Sequence, residues 1–301
     1  MSGTVLLPGL IGYLLTGLTI FHALMDAKKN RIQRILILPT IFVFAAFLEV
    51  MGVITGLFSY ATELIMILDR VPVSITLSWV GIIYSSMIIA ERLKLSLWQR
   101  ILTTTLIALS LDWGMDPIAV ESGAWTFGGG EYFNIPAVNF FGWFFIPIAY
   151  LIPYGLTWNK DSKKLKLLTI SEVDSRNSLI RKLYTVFIVV PFGLGILMLV
   201  SSFTRIPLFY NLNSVILVIW AIFTIAWASG FIIWKKDNLK RTQWFDLIPP
   251  VSLLIIAYYY AISSFVIGQF MLGLLMLITT LPYLLAFIFT LRKKRFIEES
   301  I

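Results

Sequence analysis

Long apolar runs alternate with short polar connections along nearly the whole chain. The runs have the length of membrane helices, since a bilayer core about 30 Å thick takes roughly 20 apolar residues at about 1.5 Å rise each. Nine stretches meet that requirement: residues 5–25, 35–58, 71–90, 97–117, 135–157, 183–203, 213–234, 246–266 and 270–291. The pattern predicts an all-α, polytopic membrane helical bundle of about nine transmembrane helices, a single integral-membrane domain over residues 1–301. Only Ile267, Gly268 and Gln269 separate the last two runs, which predicts a tight hairpin there.

The basic residues orient this bundle. Of the 24 Lys and Arg, all but Arg70 and Arg205 fall at the connections after the first, third, fifth and seventh runs or in the C-terminal tail. Positive loops stay in the cytoplasm, so the expected topology is multi-pass in the cell membrane with the N-terminus outside and the C-terminus cytoplasmic. Lys28, Lys29, Arg31 and Arg34 follow the first apolar run instead of preceding it, which speaks against a cleaved signal peptide. The longest polar stretch, residues 159–182, has too few apolar residues for a core of its own and reads as a solvated cytoplasmic linker.

Composition agrees and removes several chemistries. The chain is 58% hydrophobic and 13% charged, against about 45–50% and 25% for soluble domains, so its surface has to be solvated by lipid. With no Cys there is no thiolate metal site or cysteine nucleophile, and with His22 alone no multi-histidine metal site forms. The net charge of +8 does not imply nucleic acid, because the basic residues are dispersed between apolar runs.

Two carboxylates lie deep within runs. Glu49 is 14 residues into the second run from Ile35, and Asp112 is 14 residues into the fourth from Trp98, so both lie roughly 21 Å from the cytoplasmic face. An ionisable group at such depth is costly unless it faces a protein interior, which makes it a candidate functional residue. Asp116 follows Asp112 by one helical turn, so the two carboxyls share a face. Two acids so placed repel when both are ionised; one keeps its proton, giving an acid beside a base. Between Asp112 and Phe145 lie ten aromatic residues in 34 positions, with Glu121, Glu131, Asn134 and Asn139 but no Lys or Arg. This segment, well above the chain average of 15% aromatic, reads as one wall of a pocket for a long apolar polyene and a transient cation. Gly52 and Gly56 form a small-xxx-small pair that predicts close helix packing one turn beyond Glu49.

The stretches LEVMGVITGLFSY (Leu48 to Tyr60), VPVSITLSW (to Trp79) and LDWGMDPIAVESGAWTFGGGEYFNIPAVNFFGW (Leu111 to Trp143) resemble the membrane carotenoid-biosynthesis family that includes the bisanhydrobacterioruberin hydratases. Glu131, between the glycines and Tyr132, and the ninth span depart from that pattern. The resemblance covers about the middle third of the chain. It implies addition of water across the terminal carbon–carbon double bond of an acyclic carotenoid, giving a tertiary alcohol without metal or other cofactor. It further implies Asp112 and Asp116 as acid and water-handling base in either order, Glu49 as a second acid candidate, and Trp113, Trp125, Tyr132, Asn139 and Trp143 around the substrate. The implied partners are an acyclic carotenoid or related polyisoprenoid, the lipid bilayer and other carotenoid-pathway enzymes.

Three alternatives stay open on sequence. A carotenoid end-group cyclase uses the same protonation and then loses a proton. An intramembrane prenyltransferase would use the Asp-x-x-x-Asp spacing, but needs a second acidic metal motif and basic residues on the same side. A non-enzymatic lipid or polyene carrier would use the acids as gating groups.

Overall fold

The computed structural model describes residues 6–26, 31–158, 191, 193, 195, 198, 212–236 and 243–298. Among these, nine α-helices form a bundle: α1 (Leu6–Met25), α2 (Arg31–Ile54), α3 (Val73–Arg92), α4 (Leu97–Glu121), α5 (Ala137–Trp158), α6 (Ser214–Trp234), α7 (Ile248–Val266), α8 (Phe270–Thr279) and α9 (Leu281–Glu298). The predicted linker 159–182 and nearly all of the predicted sixth span lie outside the described residues.

Among the described residues, five helices are long and apolar enough to cross a membrane: Arg34–Ile54, Val73–Arg92, Ala137–Gly155, Ser214–Trp234 and Trp244–Val266. The predicted ninth span is not one helix. It is α8 and α9, bent by 45° at Thr280. Pro282 has no N–H to continue the ladder, and the Thr279 and Thr280 hydroxyls bond back to the Met276 and Leu277 carbonyls at 2.8 and 2.6 Å, which together break the helix. The predicted first span is apolar over a shorter stretch, Gly9–Met25.

The predicted fourth span, α4, departs for a different reason. It carries Thr103, Thr104, Thr105, Ser110, Asp112 and Asp116, every one of them buried, and it packs against α3, α5, α6, α7, α8 and α9. A helix solvated by protein on all sides has no need of an apolar exterior, so α4 is the polar axis of the bundle. Gly114 makes this enclosure possible on one side. A Cβ there would lie 2.9 Å from the backbone Cα of Met276 and 2.9 Å from the Thr279 hydroxyl, so only glycine lets α8 approach α4 so closely.

Strands, absent from the all-α expectation, occur in the connecting segments. β1 (Phe58–Tyr60) pairs antiparallel with β4 (Trp125–Phe127), and β2 (Met66–Ile67) pairs with β3 (Val71–Pro72). Aromatic and β-branched residues make up much of the β1–β4 pair, with Tyr60 opposite Trp125 and the Ser59 and Thr126 hydroxyls 2.9 Å apart. Pairing satisfies backbone groups where the chain leaves its helices.

The Gly52–Gly56 pattern serves this local geometry rather than helix–helix packing. A Cβ on Gly52 would sit 2.3 Å from the Phe58 ring, so the glycine makes room for β1 folding back onto α2. Gly56, at φ 74°, supplies the left-handed turn residue between them.

At the opposite end of the bundle, half-buried ion pairs tie helix ends together. Arg34 of α2 donates to Asp26 at 2.8 Å and to Glu91 of α3 at 2.5 Å. Arg92 pairs with Asp246, which precedes α7, and His22 Nδ1 lies 2.9 Å from the Tyr84 hydroxyl. These charges hold α1, α2, α3 and α7 in register and leave the other end of the bundle to the acids of α2 and α4.

Candidate active site

Asp112 and Asp116 lie on one face of α4 and are 0% and 2% exposed. The group that binds them together comes from α5. Residues 132–135 form a tight turn closed by the bridge between Tyr132 and Ile135, with Phe133 and Asn134 at positive φ. This turn feeds the chain into α5 so that Asn139, in its first turn, faces α4. The Asn139 amide donates to Asp116 Oδ2 at 2.6 Å and to Asp112 Oδ2 at 3.3 Å. Oδ2 of both carboxyls thus converges on one amide. Asp112 Oδ1 is buried and receives no amide, indole or hydroxyl donor among the described residues.

Glu49, on α2, is 6% exposed and is held by two donors from different elements. The Trp79 indole of α3 donates to Oε1 at 2.5 Å, and the Tyr60 hydroxyl of β1 donates to Oε2 at 2.5 Å. Burial, and after it the charge of Glu49, keep the Tyr60 phenol well above its usual range, so it serves as donor in this contact. Tyr60 is positioned by the fold of β1 over Gly52 and by the ring of its strand partner Trp125, 6.0 Å away between centroids.

Aromatic stacking joins the two acidic arrangements. Trp79 stacks on Trp143 with centroids 4.1 Å apart, and Trp143 lies one turn beyond Asn139 on α5. Glu49, Tyr60, Trp79, Trp143, Asn139, Asp116 and Asp112 thus form one continuous site.

Of the remaining expected residues, Trp125 sits above this site against Tyr60. Trp113 and Tyr132 belong to a neighbouring cluster behind Asp112: Trp113 is fully buried, stacks on Phe140 at 3.8 Å and meets Trp220 of α6 at 5.4 Å. The Tyr132 hydroxyl donates to the Trp113 carbonyl at 3.0 Å, and burial pushes its phenol up so that it stays a neutral donor. This cluster packs α4, α5 and α6 together. Tyr60 and Trp79 were not among the expected site residues. A deeply buried Glu implies donors to match it, but their identity depends on a turn and on neighbouring helices.

No group of three or more metal-binding side chains occurs among the described residues. Residues 9–212 match the model of a family described as carotenoid biosynthesis protein, a match that extends well beyond the middle third of the chain and takes in every residue of this site. No curated protein and no solved structure gives a match.

Proposed function

The chain belongs to the carotenoid biosynthesis protein family, and from that premise we propose that it hydrates the terminal carbon–carbon double bond of an acyclic carotenoid. The observation that carries this reading is the Asn139 amide spanning two buried carboxyls one turn apart, at 2.6 and 3.3 Å. An alkene is a weak base, so its protonation calls for a neutral carboxylic acid in a site shielded from bulk water. Asp112 and Asp116 supply such an acid together with a carboxylate to pair with it.

In the proposed sequence, the protonated member of the pair gives its proton to the less substituted carbon of the double bond. The π electrons form the new C–H bond and leave the charge on the tertiary carbon. Water then attacks that carbon and forms the C–O bond. Its surplus proton passes to the carboxylate member, and a proton transfer within the pair restores the starting state. The net change is alkene plus water to tertiary alcohol, with no net uptake of protons. Asn139 keeps both carboxyls oriented through the cycle, and Trp143 and Trp125 present ring faces toward the polyene end.

Cells supplied with an acyclic carotenoid and expressing this chain test the proposal. Pigment heavier by the mass of one water supports hydration. A rearranged product of unchanged mass indicates the cyclase instead, and unaltered pigment in cells containing folded protein argues against either reaction.

A further inference from the structure

Glu49 is not equivalent to the aspartate pair. Asp112 and Asp116 lie one turn apart and share a single amide donor, Asn139. Glu49 has both oxygens occupied by donors: the Trp79 indole on Oε1 and the Tyr60 hydroxyl on Oε2, each at 2.5 Å. An indole N–H can only donate, so Oε1 is held as an acceptor. Two donors on one carboxyl favour its anionic form and oppose the cost of burying that charge. No Lys, Arg or His makes an ion pair with it among the described residues. In its ionised form Glu49 therefore lacks a resident counter-charge, and a cation placed beside it would supply one.

The groups next to it are suited to a positive charge. Trp79, the donor to Oε1, stacks on Trp143 at 4.1 Å, and both indoles are almost wholly buried. An indole that donates to a carboxylate has a more electron-rich ring, and ring faces attract cations. Trp143 in turn lies one helical turn from Asn139, the donor to the aspartate pair.

We propose that Glu49, fixed by Tyr60 and Trp79, is the counter-ion of a cation subsite formed with Trp79 and Trp143, and that this subsite binds a tertiary carbocation or a tertiary ammonium group in its place. The assignment rests on the hydration reading, because that reaction generates the cation. It gives Glu49 a role other than proton donor: the proton comes from the aspartate pair, and Glu49 stabilises the charge that the proton creates.

The test is a binding comparison on the full chain in detergent or vesicles of defined phospholipid. The probes are an acyclic polyene whose terminal isopropylidene is replaced by a protonated dimethylamino group, and the neutral parent polyene. The variant Glu49→Gln keeps both contacts, since its carbonyl accepts from Trp79 and its amide donates to the Tyr60 oxygen, while the charge is removed. Tryptophan quenching should show the ammonium probe bound roughly 30-fold more weakly by Glu49→Gln than by the unaltered chain. The neutral polyene should bind to both within about threefold, which also reports that the variant is folded. Equal affinity for the ammonium probe, or equal weakening of both probes, overturns the proposal. Selective loss of the ammonium probe in a protein that yields no hydrated pigment would keep the cation subsite and remove the hydratase reading.

Discussion

Trp79 of α3 and Trp143 of α5 stack with ring centroids 4.1 Å apart and planes 32° from parallel. This contact connects two acidic arrangements that are far apart in the chain. On one side Trp79 donates to Glu49, and on the other Trp143 stands one turn from the amide that spans Asp112 and Asp116. Replacing Trp79 by Phe keeps an aromatic ring against Trp143 but leaves Glu49 Oε1 without its donor. Turnover should fall by about tenfold or more while the protein remains folded, as expected for loss of one hydrogen bond to a buried charge. Near-normal turnover in Trp79→Phe would show that the indole N–H has no part in the reaction.

Asn139 offers a separate handle on the pair. In Asn139→Leu the side chain keeps a similar volume and loses the donor to both carboxyls. Hydration should drop by about a hundredfold in turnover with little change in substrate affinity, because the lost bonds orient reacting groups instead of holding the polyene. A rise in KM with unchanged kcat would assign Asn139 to substrate binding.

Much of this arrangement is legible in the chain. The depth of Glu49 and Asp112, the one-turn spacing to Asp116 and the aromatic density up to Phe145 are local features, and the structure gathers those acids with Asn139 and Trp143. Tyr60 and Trp79 are within the stretches that carry the family resemblance, yet their role is hidden there. Tyr60 reaches Glu49 only because β1 folds back over Gly52, and Trp79 only because α3 lies beside α2. Such relationships come from tertiary packing, which periodicity does not report. The strands are too short for alternation to be visible, and Gly52 resembles a helix-packing residue until Phe58 is seen against it. The enclosure of α4 has a visible trace, its polar residues, but hydropathy alone makes them look like an imperfect membrane span. Arg34 and Glu91 look like ordinary loop charges in sequence and turn out to be paired across helix ends.

That pairing sets a prediction for stability. Arg34 bridges Asp26 and Glu91 with its side chain 13% exposed, so Arg34→Ala leaves two carboxylates without their shared partner. The loss should be about 2 kcal/mol, the order of a hydrogen bond to a charged group, read as a lower unfolding midpoint in detergent. Arg34→Lys should recover only part of it, because a single ammonium does not reproduce the forked contact. An unchanged midpoint in Arg34→Ala would show that the ion pairs at this end do not hold the helices.

The absence of native Cys makes the membrane orientation directly measurable. Single cysteines placed in residues 121–134 should react with an impermeant reagent added outside intact cells, and those in residues 160–182 only after the membrane is opened. Labelling of both segments from the same side would contradict the topology drawn from the basic residues.

The central claim is that the Asp112–Asp116 pair performs the proton chemistry of hydration, and product analysis of Asp112→Asn and Asp116→Asn tests it most directly. Asparagine keeps the shape of each side chain but neither gives a proton to an alkene nor takes one from water. In cells supplied with an acyclic carotenoid, the unaltered chain should yield pigment heavier by one water. Each variant, present in the membrane at normal levels and still binding the polyene, should yield none. Hydrated pigment formed at near-normal rates by both variants would contradict the account, and the carboxyls of α4 would then be structural.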